Sequence, residues 1–240
     1  MVVLSGIAAR AAGTSIGSGH GGYRVWRNLV TAVYGLVLAA AFAFGLCGPA
    51  LAATRIVALG DSLTAGYGLP LEQAFPERLQ AWLKSQGVDA QIVNAGVSGD
   101  TTAGGLQRLD WTLAEPADAV LVELGANDAL RGLDPKAAYD NLDQILTRLE
   151  ARKLRVLLLG MKGVTNWGTD YARDFDAIYP RLAEKHHVLL YPFFLDGVAL
   201  DPALNQADGL HPNAAGVDVI VKRVGPYVLR MLGSSPGGNG

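Results

Sequence analysis

The segment over residues 60–68 reads Gly-Asp-Ser-Leu-Thr-Ala-Gly-Tyr-Gly and follows a short run rich in β-forming residues. A glycine-rich loop after a strand can bind a phosphate at a helix N-terminus or present a nucleophilic serine. The phosphate motifs are G-x-G-x-x-G and G-x-x-x-x-G-K-[ST]; the segment matches neither, and no lysine follows it. The pattern therefore favours Ser62 as a nucleophile, which would need a base and donors for an oxyanion.

Three histidines follow residue 52 and could supply the base. His186 and His187 end a predicted helix, where the helix dipole favours cations, so we expect structural roles for both. His211 lies in the polar segment Asp-Gly-Leu-His-Pro-Asn over 208–213. Asp208, three residues earlier, could accept a hydrogen bond from the ring and stabilise the imidazolium that forms on proton transfer. On these residues alone, an Asx-type turn that caps the last helix is an equally good interpretation.

Two further segments could supply oxyanion donors. Gly99, at the end of Asn-Ala-Gly-Val-Ser-Gly, can turn its backbone N–H toward a ligand, and Asn127 offers a side-chain amide. Each taken alone is better explained as a turn residue. Three aspartates in the same loops could instead suggest a metal site, but acids in such loops more often cap helices, and no spacing matches a metal cage. The three aspartates are Asp61, Asp100 and Asp128. We therefore expect no metal.

These polar segments fall just after predicted strands. Strand-like runs at 55–60, 89–94, 118–124, 154–160 and 187–191 alternate with helical stretches at about 72–87, 102–114, 135–152, 170–186 and 213–232. Several of the strand runs are apolar nearly throughout, which is typical of strands that helices cover on both faces. The β-α-β-α order predicts a three-layer α/β/α sandwich with a mostly parallel sheet. Because the carboxyl ends of parallel strands meet at one edge, the polar loops are expected to converge there.

The first 52 residues differ from the rest of the chain. Arg24 and Arg27 precede an uncharged apolar run over 29–46, and an Ala-Leu-Ala ending follows it. This order predicts a secretory signal peptide over 23–52, cleaved after Ala52, with Ala53 as the alternative cleavage position. Two alternatives stay open: a retained membrane anchor, since the run approaches the length that spans a bilayer, and a lipid anchor on Cys47, which the preceding leucine disfavours.

The remaining boundaries follow from composition. Residues 1–22 are small, polar and glycine-rich, and we interpret them as a disordered extension or as a start codon placed too early. Residues 53–233 are predicted to form one domain and 234–240 a flexible tail. Loss of 1–52 removes three arginines and no acid, so the formal net charge falls from −2 to −5. That balance, with no basic stripe, argues against nucleic acid and against tight binding to anionic lipid.

The polar segments together resemble the four sequence blocks of the GDSL, or SGNH, hydrolases. The matching residues are Gly60-Asp-Ser-Leu63, Gly99, Asn127 and Asp208-x-x-His211, and the resemblance runs from 55 to about 230. Longer strings, such as Glu-Leu-Gly-Ala-Asn-Asp over 123–128, are similar to the periplasmic thioesterase I/lysophospholipase/arylesterase subgroup. The resemblance implies a flavodoxin-like fold with a five-stranded parallel sheet, and neither metal nor cofactor.

The resemblance also implies a role for each residue. Ser62 would be the nucleophile, His211 the general base and then acid, and Asp208 the residue that orients His211. The backbone N–H groups of Ser62 and Gly99 and the Asn127 amide would form the oxyanion hole. The expected activity is hydrolysis of aryl esters, lysophospholipid-like esters and acyl thioesters through an acyl-enzyme. The protein would be periplasmic or secreted and a monomer, with no stable membrane insertion after signal cleavage.

Two alternative functions stay open. The first is a carbohydrate acetyl esterase of the same family, for which a short polar pocket would be expected in place of an apolar acyl groove. The second is a periplasmic binding domain without catalytic activity. The loops over 129–135 and 161–171 are expected to shape the acyl site, so they would decide between the first alternative and lipid-like esters.

Overall fold

The computed structural model describes residues 53–234. The predicted N-terminal extension and signal peptide lie outside the described residues, as does all but the first residue of the predicted tail. The sheet has five parallel strands in the order β2-β1-β3-β4-β5, which is the flavodoxin-like order. The strands are β1 (Thr54–Gly60), β2 (Ala90–Gly96), β3 (Ala119–Glu123), β4 (Arg155–Leu159) and β5 (Leu189–Tyr191). The predicted α/β sandwich with a five-stranded parallel sheet is thus confirmed.

Helices cover both faces of the sheet, as the apolar strands require. Along the chain they are α1 (Ser62–Ala65), α2 (Phe75–Ser85), α3 (Thr102–Thr112), α4 (Ala126–Leu130), α5 (Pro135–Ala151), α6 (Thr169–Asp176), α7 (Ile178–His186) and α8 (Ala214–Leu232). Helices α2 and α8 pack together in one layer, and α5 packs between α3 and α7 in the other. None of the helices within 53–234 has the length and apolar character needed to cross a bilayer.

Several details differ from the sequence-based prediction: the short helices α1 and α4 were not expected, and some of the longer elements have other bounds. The helix predicted over 170–186 is two helices, α6 and α7, and Pro180, which has no N–H to donate to the preceding turn, lies in the first turn of α7. Strand β5 begins at Leu189, because His187 takes a left-handed φ of 52° and ends α7. Helix α2 begins at Phe75 instead of about residue 72, because Leu71–Gln73 form a separate 3₁₀ turn. Helix α8 begins at Ala214 instead of residue 213, because Asn213 is its N-cap and accepts a hydrogen bond from the N–H of Gly216.

A close contact between β2 and α1 positions the start of the first helix. Gly96, the last residue of β2, pairs with Gly60 at the end of β1. A Cβ atom added at Gly96 would lie 2.2 Å from the backbone nitrogen of Ala65 and 2.8 Å from the carbonyl oxygen of Asp61. Only glycine permits this approach, so the end of β2 fixes where α1 leaves the sheet.

Candidate active site

The first polar loop places Ser62 at the carboxyl end of β1. Asp61 caps α1, since its Oδ1 accepts a 3.0 Å hydrogen bond from the backbone N–H of Leu63. Gly66 closes the turn in a left-handed conformation and donates its N–H to the carbonyl of Ser62. The strand order reverses between β1 and β3, and ligands of open α/β sheets bind at that switch point. Ser62, which is half-buried, therefore lies where the topology favours a ligand-binding site.

Ser62, His211 and Asp208 form a continuous chain of hydrogen bonds. The Nε2 atom of His211 lies 2.9 Å from Ser62 Oγ, and its Nδ1 lies 2.7 Å from Asp208 Oδ2. The other carboxylate oxygen of Asp208 accepts from the backbone N–H groups of Leu210 and His211. Asp208 thus forms both the pair with His211 and an Asx-type turn, one carboxylate oxygen serving each. The turn does not cap the last helix, because the N-cap of α8 is Asn213.

The surroundings of Asp208 favour its ionised form. The backbone N–H of His211 is the largest cause, followed by that of Leu210 and by the imidazole, and together they lower the pKa of Asp208 to about 2. An ionised Asp208 at Nδ1 leaves the Nε2 atom of His211 free to accept the proton of Ser62 Oγ.

Two residues that sequence reasoning missed hold the His211 loop against the first loop. Gln206 donates from Nε2 to the carbonyl oxygens of Tyr67 (2.7 Å) and Pro212 (2.9 Å). The ring of Tyr67 lies over His211 with centroids 4.6 Å apart. The contacts of Tyr67 with Gln206 and His211 join residues about 140 positions apart, so no local spacing could have indicated them.

The two further predicted oxyanion donors are the backbone N–H of Gly99 and the side-chain amide of Asn127. They follow the carboxyl ends of β2 and β3 and line the same cavity as Ser62. Gly99 has a φ of 86°, a left-handed conformation that favours glycine. Asn127 donates from Nδ2 to Asp61 Oδ2 at 3.1 Å. Arg131 donates from Nη2 to the Gly99 carbonyl at 2.9 Å and to Asn127 Oδ1 at 3.4 Å.

Beneath the first loop lie two buried acids, Asp61 and Glu123. Glu123 Oε2 accepts from the hydroxyl of Thr64 (2.7 Å) and from the backbone N–H of Asp61 (3.3 Å). Burial raises the pKa of Asp61 to about 6, against the hydrogen bonds from Leu63 and Asn127. Burial, with the charge of Asp61, raises the pKa of Glu123 well above its usual range.

Each aspartate considered as a metal ligand has a separate protein partner. Asp61 caps α1, Asp100 accepts from Arg108 Nε at 2.6 Å, and Asp128 accepts from both the N–H and the hydroxyl of Thr102. Within residues 53–234 no group of three or more histidine, cysteine or acidic side chains is arranged to hold a metal ion.

Next to Ser62 opens a cavity of about 520 Å³ with largely apolar walls. Both loops predicted to shape the acyl site contribute to it, through Ala129 and Leu130 and through residues 161–164. Trp167 ties the two loops together by donating from Nε1 to the Ala129 carbonyl at 3.0 Å. The apolar wall residues are Leu63, Ala126, Ala129, Leu130, Met161, Val164, Phe193, Leu195, Ala199, Leu200 and Leu210.

Comparisons with known proteins place the chain among ester hydrolases. Residues 58–219 match the model of the GDSL-like Lipase/Acylhydrolase family. An "Arylesterase" of Vibrio mimicus is 38% identical over 79% of this chain and 95% of its own length. A "Thioesterase 1/protease 1/lysophospholipase L1" of Escherichia coli K12 is 40% identical over 75% of this chain and 87% of its own length. The crystal structure of AlinE4, an SGNH-hydrolase family esterase, is 48% identical, covers 75% of this chain and 97% of its own, and superposes with a TM-score of 0.64.

Proposed function

The chain belongs to the GDSL-like lipase/acylhydrolase family and is a carboxylic ester hydrolase, and we propose that it acts as a serine esterase with Ser62 as its nucleophile. The hydrogen-bond chain from Ser62 through His211 to Asp208, at the edge of an apolar cavity, is the observation that carries this proposal. The non-enzymatic alternative of a binding domain has no support among the relatives, which are named as enzymes.

The proposed reaction has two steps. In the first, Ser62 Oγ attacks the substrate carbonyl carbon while His211 Nε2 takes the hydroxyl proton, and the alcohol or thiol leaves with that proton. The backbone N–H groups of Ser62 and Gly99 and the amide of Asn127 stabilise the oxyanion of each tetrahedral intermediate. In the second step, His211 deprotonates a water molecule that attacks the acyl-enzyme carbonyl. The acid is released and Ser62 regains its proton.

The walls of the cavity favour lipid-like acyl groups over acetyl groups. A volume of about 520 Å³ bounded by leucine, phenylalanine and methionine side chains can bury an acyl chain, whose transfer from water stabilises by about 0.8 kcal/mol per methylene. An acetyl group would leave most of that surface unused. We therefore propose medium and long acyl esters and thioesters as substrates, and rank the carbohydrate acetyl esterase second.

We further propose that the enzyme acts in the periplasm or outside the cell. The predicted signal peptide over 23–52 supports this compartment. The net charge of −5 that remains after its removal is compatible with an enzyme free in solution rather than bound to anionic lipid.

Covalent labelling tests the assignment of the nucleophile. Wild-type protein beginning at Ala53 should react with a fluorophosphonate probe and hydrolyse p-nitrophenyl butyrate and p-nitrophenyl octanoate. Ser62→Ala should lose both the label and the turnover. Ser98→Ala is the matched control, because Ser98 lines the same cavity and should leave the label in place. Labelling that persists in Ser62→Ala, or that disappears in Ser98→Ala, contradicts the proposal.

A further inference from the structure

Asp61 lies between the nucleophile turn and the oxyanion amide, and both of its carboxylate oxygens are hydrogen-bonded. Oδ1 accepts from the N–H of Leu63, and Oδ2 accepts from Asn127 Nδ2 at 3.1 Å. We propose that Asp61 is a positioning residue for catalysis, which holds the Asn127 amide in the one orientation that directs an N–H toward the oxyanion. This inference rests on the proposed function, in which Asn127 is an oxyanion donor.

The two possible orientations of the Asn127 amide differ in what they present to the cavity. An asparagine amide carries two N–H donors on nitrogen and one acceptor oxygen, and a rotation of the amide by 180° exchanges them. With Nδ2 toward Asp61, one N–H binds the carboxylate and the second is free for a ligand, while Oδ1 faces the guanidinium of Arg131. The reversed amide would place its oxygen against a carboxylate and lose both interactions. Asp61 and Arg131 therefore select the same orientation from opposite sides.

The surroundings of Asp61 decide that it, and not Glu123, is the ionised member of the buried pair. Two adjacent carboxylates cannot both be charged in a buried site without a cation between them. Both oxygens of Asp61 have donors, whereas Glu123 Oε1 has no hydrogen-bond partner among the described residues. The proton therefore resides on Glu123. A positive charge on His211 also favours the ionised form of Asp61, and Arg108 donates to the carbonyl of Gly60, the residue before Asp61.

A double-mutant cycle separates positioning of Asn127 from other roles of Asp61. Asn127→Ala should lower kcat by about 10²–10³-fold, the usual cost of losing one oxyanion donor. Asp61→Asn keeps an oxygen for the Leu63 cap but places an amide N–H₂ against Asn127 Nδ2. We expect it to lower kcat by about 10–100-fold in the wild type, with KM changed less than about threefold. In the Asn127→Ala background the same substitution should change kcat by less than about threefold, since the group it positions is gone.

Asp128→Asn is the matched control for this cycle. Asp128 is also buried and adjoins Asn127 in sequence, but its carboxylate binds Thr102 instead of the amide. Its fold-change in kcat should be the same in both backgrounds. If Asp61→Asn does not fold, Asp61→Ser replaces it, because serine can cap α1 without reaching Asn127.

The outcomes distinguish the two proposals. Multiplicative losses for Asp61→Asn and Asn127→Ala would show that Asp61 acts elsewhere, and would overturn this inference while leaving the esterase assignment intact. A normal kcat in Asn127→Ala alone would overturn both the proposed oxyanion role and the inference built on it. Loss of fluorophosphonate labelling only in Ser62→Ala, whatever the cycle gives, would still support the nucleophile.

Discussion

The guanidinium of Arg131 donates a hydrogen bond of 2.9 Å to the carbonyl oxygen of Gly99, and so joins the loops that follow β2 and β3. The same Nη2 atom lies 3.4 Å from Asn127 Oδ1. Gly99 and Asn127 come from separate loops, and each supplies one of the proposed oxyanion donors. Their relative position therefore depends on a side chain that neither donates to the oxyanion nor lines the cavity.

Substitution of Arg131 should lower kcat without removing any proposed donor. Arg131→Met removes the hydrogen bonds from Arg131 to the Gly99 carbonyl and to Asn127 Oδ1. We expect kcat to fall by about tenfold, which is less than the loss expected when an oxyanion donor is removed altogether. KM should change less than about threefold. Arg148→Met is the control, since Arg148 is paired with Asp110 on the surface. Equal kcat values for the two variants would contradict a role for Arg131 in the site.

The stability of the enzyme should depend on pH through Asp61. Its pKa is raised to about 6 in the folded protein from an ordinary value of 3.8, so the folded state binds more protons between those values. By linkage, the free energy of unfolding falls as pH rises through that window, by on the order of 2–3 kcal/mol for a shift of this size. Thermal unfolding followed from pH 4 to 8 should show this decline. Asp61→Asn should reduce it, and an identical decline in that variant would contradict the assignment.

Asp208 should have the opposite effect on the free energy of unfolding, at lower pH than Asp61. Its pKa is lowered to about 2, so the stability it contributes is present above its ordinary value of 3.8 and is lost as pH falls toward 2. Taken together, the contributions of these two carboxyls are largest near pH 4, where the rise due to Asp208 ends and the decline due to Asp61 begins. Asp208→Asn should weaken the acid-side decline and leave the decline above pH 5 unchanged.

Residue type and topology predicted which residues meet, but not how they are held. Ser62, Gly99, Asn127 and the Asp208–His211 pair could be proposed from sequence because each follows a strand or lies in a short polar loop, and parallel strands end at one edge. The contacts that orient them join residues far apart in the chain: Asp61 with Asn127 across 66 positions, and Gln206 with Tyr67 across 139. No periodicity or spacing signals such contacts.

The missed helices have a similar explanation. Helices α1 and α4 contain four and five residues, too few for two turns, so they show no 3.6-residue periodicity. Both begin just after strands at the site edge, in segments that read as glycine-rich loops. Short helices of this kind depend on capping and on tertiary contacts, such as the Asp61 cap, rather than on an amphipathic pattern.

The contact between Gly96 and α1 should make Gly96→Ala costly to both stability and activity. Its Cβ would lie within 3 Å of backbone atoms of Ala65 and Asp61, which cannot rotate away, so α1 and the nucleophile must shift. We expect a loss of about 2–3 kcal/mol in unfolding free energy and at least a 100-fold loss in kcat/KM.

Gly87→Ala separates this steric effect from backbone strain. Gly87 has a φ of 79° and no atom within 4 Å of an added Cβ, so alanine there is strained but meets nothing. It should cost about 1 kcal/mol of stability and leave kcat/KM within twofold. Chemical denaturation and p-nitrophenyl octanoate hydrolysis measure both quantities. Full activity in Gly96→Ala would show that α1 is not fixed by β2.

The native Leu200 side chain should favour esters with long acyl chains, while its backbone conformation lowers the free energy of unfolding. It lines the cavity, exposes 91% of its surface and has a φ of 66°, a left-handed conformation that costs leucine about 1 kcal/mol or more. Because the side chain is exposed, it adds nothing to the packing of the core, but it extends the apolar wall of the cavity.

Leu200→Asn relieves the backbone strain, because asparagine tolerates this conformation. It should therefore raise Tm by about 1–3 °C. It should also lower the ratio of kcat/KM for dodecanoyl over butanoyl esters by about threefold to tenfold. Leu71→Asn, at an exposed leucine outside the cavity, should change neither quantity; an unchanged ratio in Leu200→Asn would contradict a contact between Leu200 and the acyl chain.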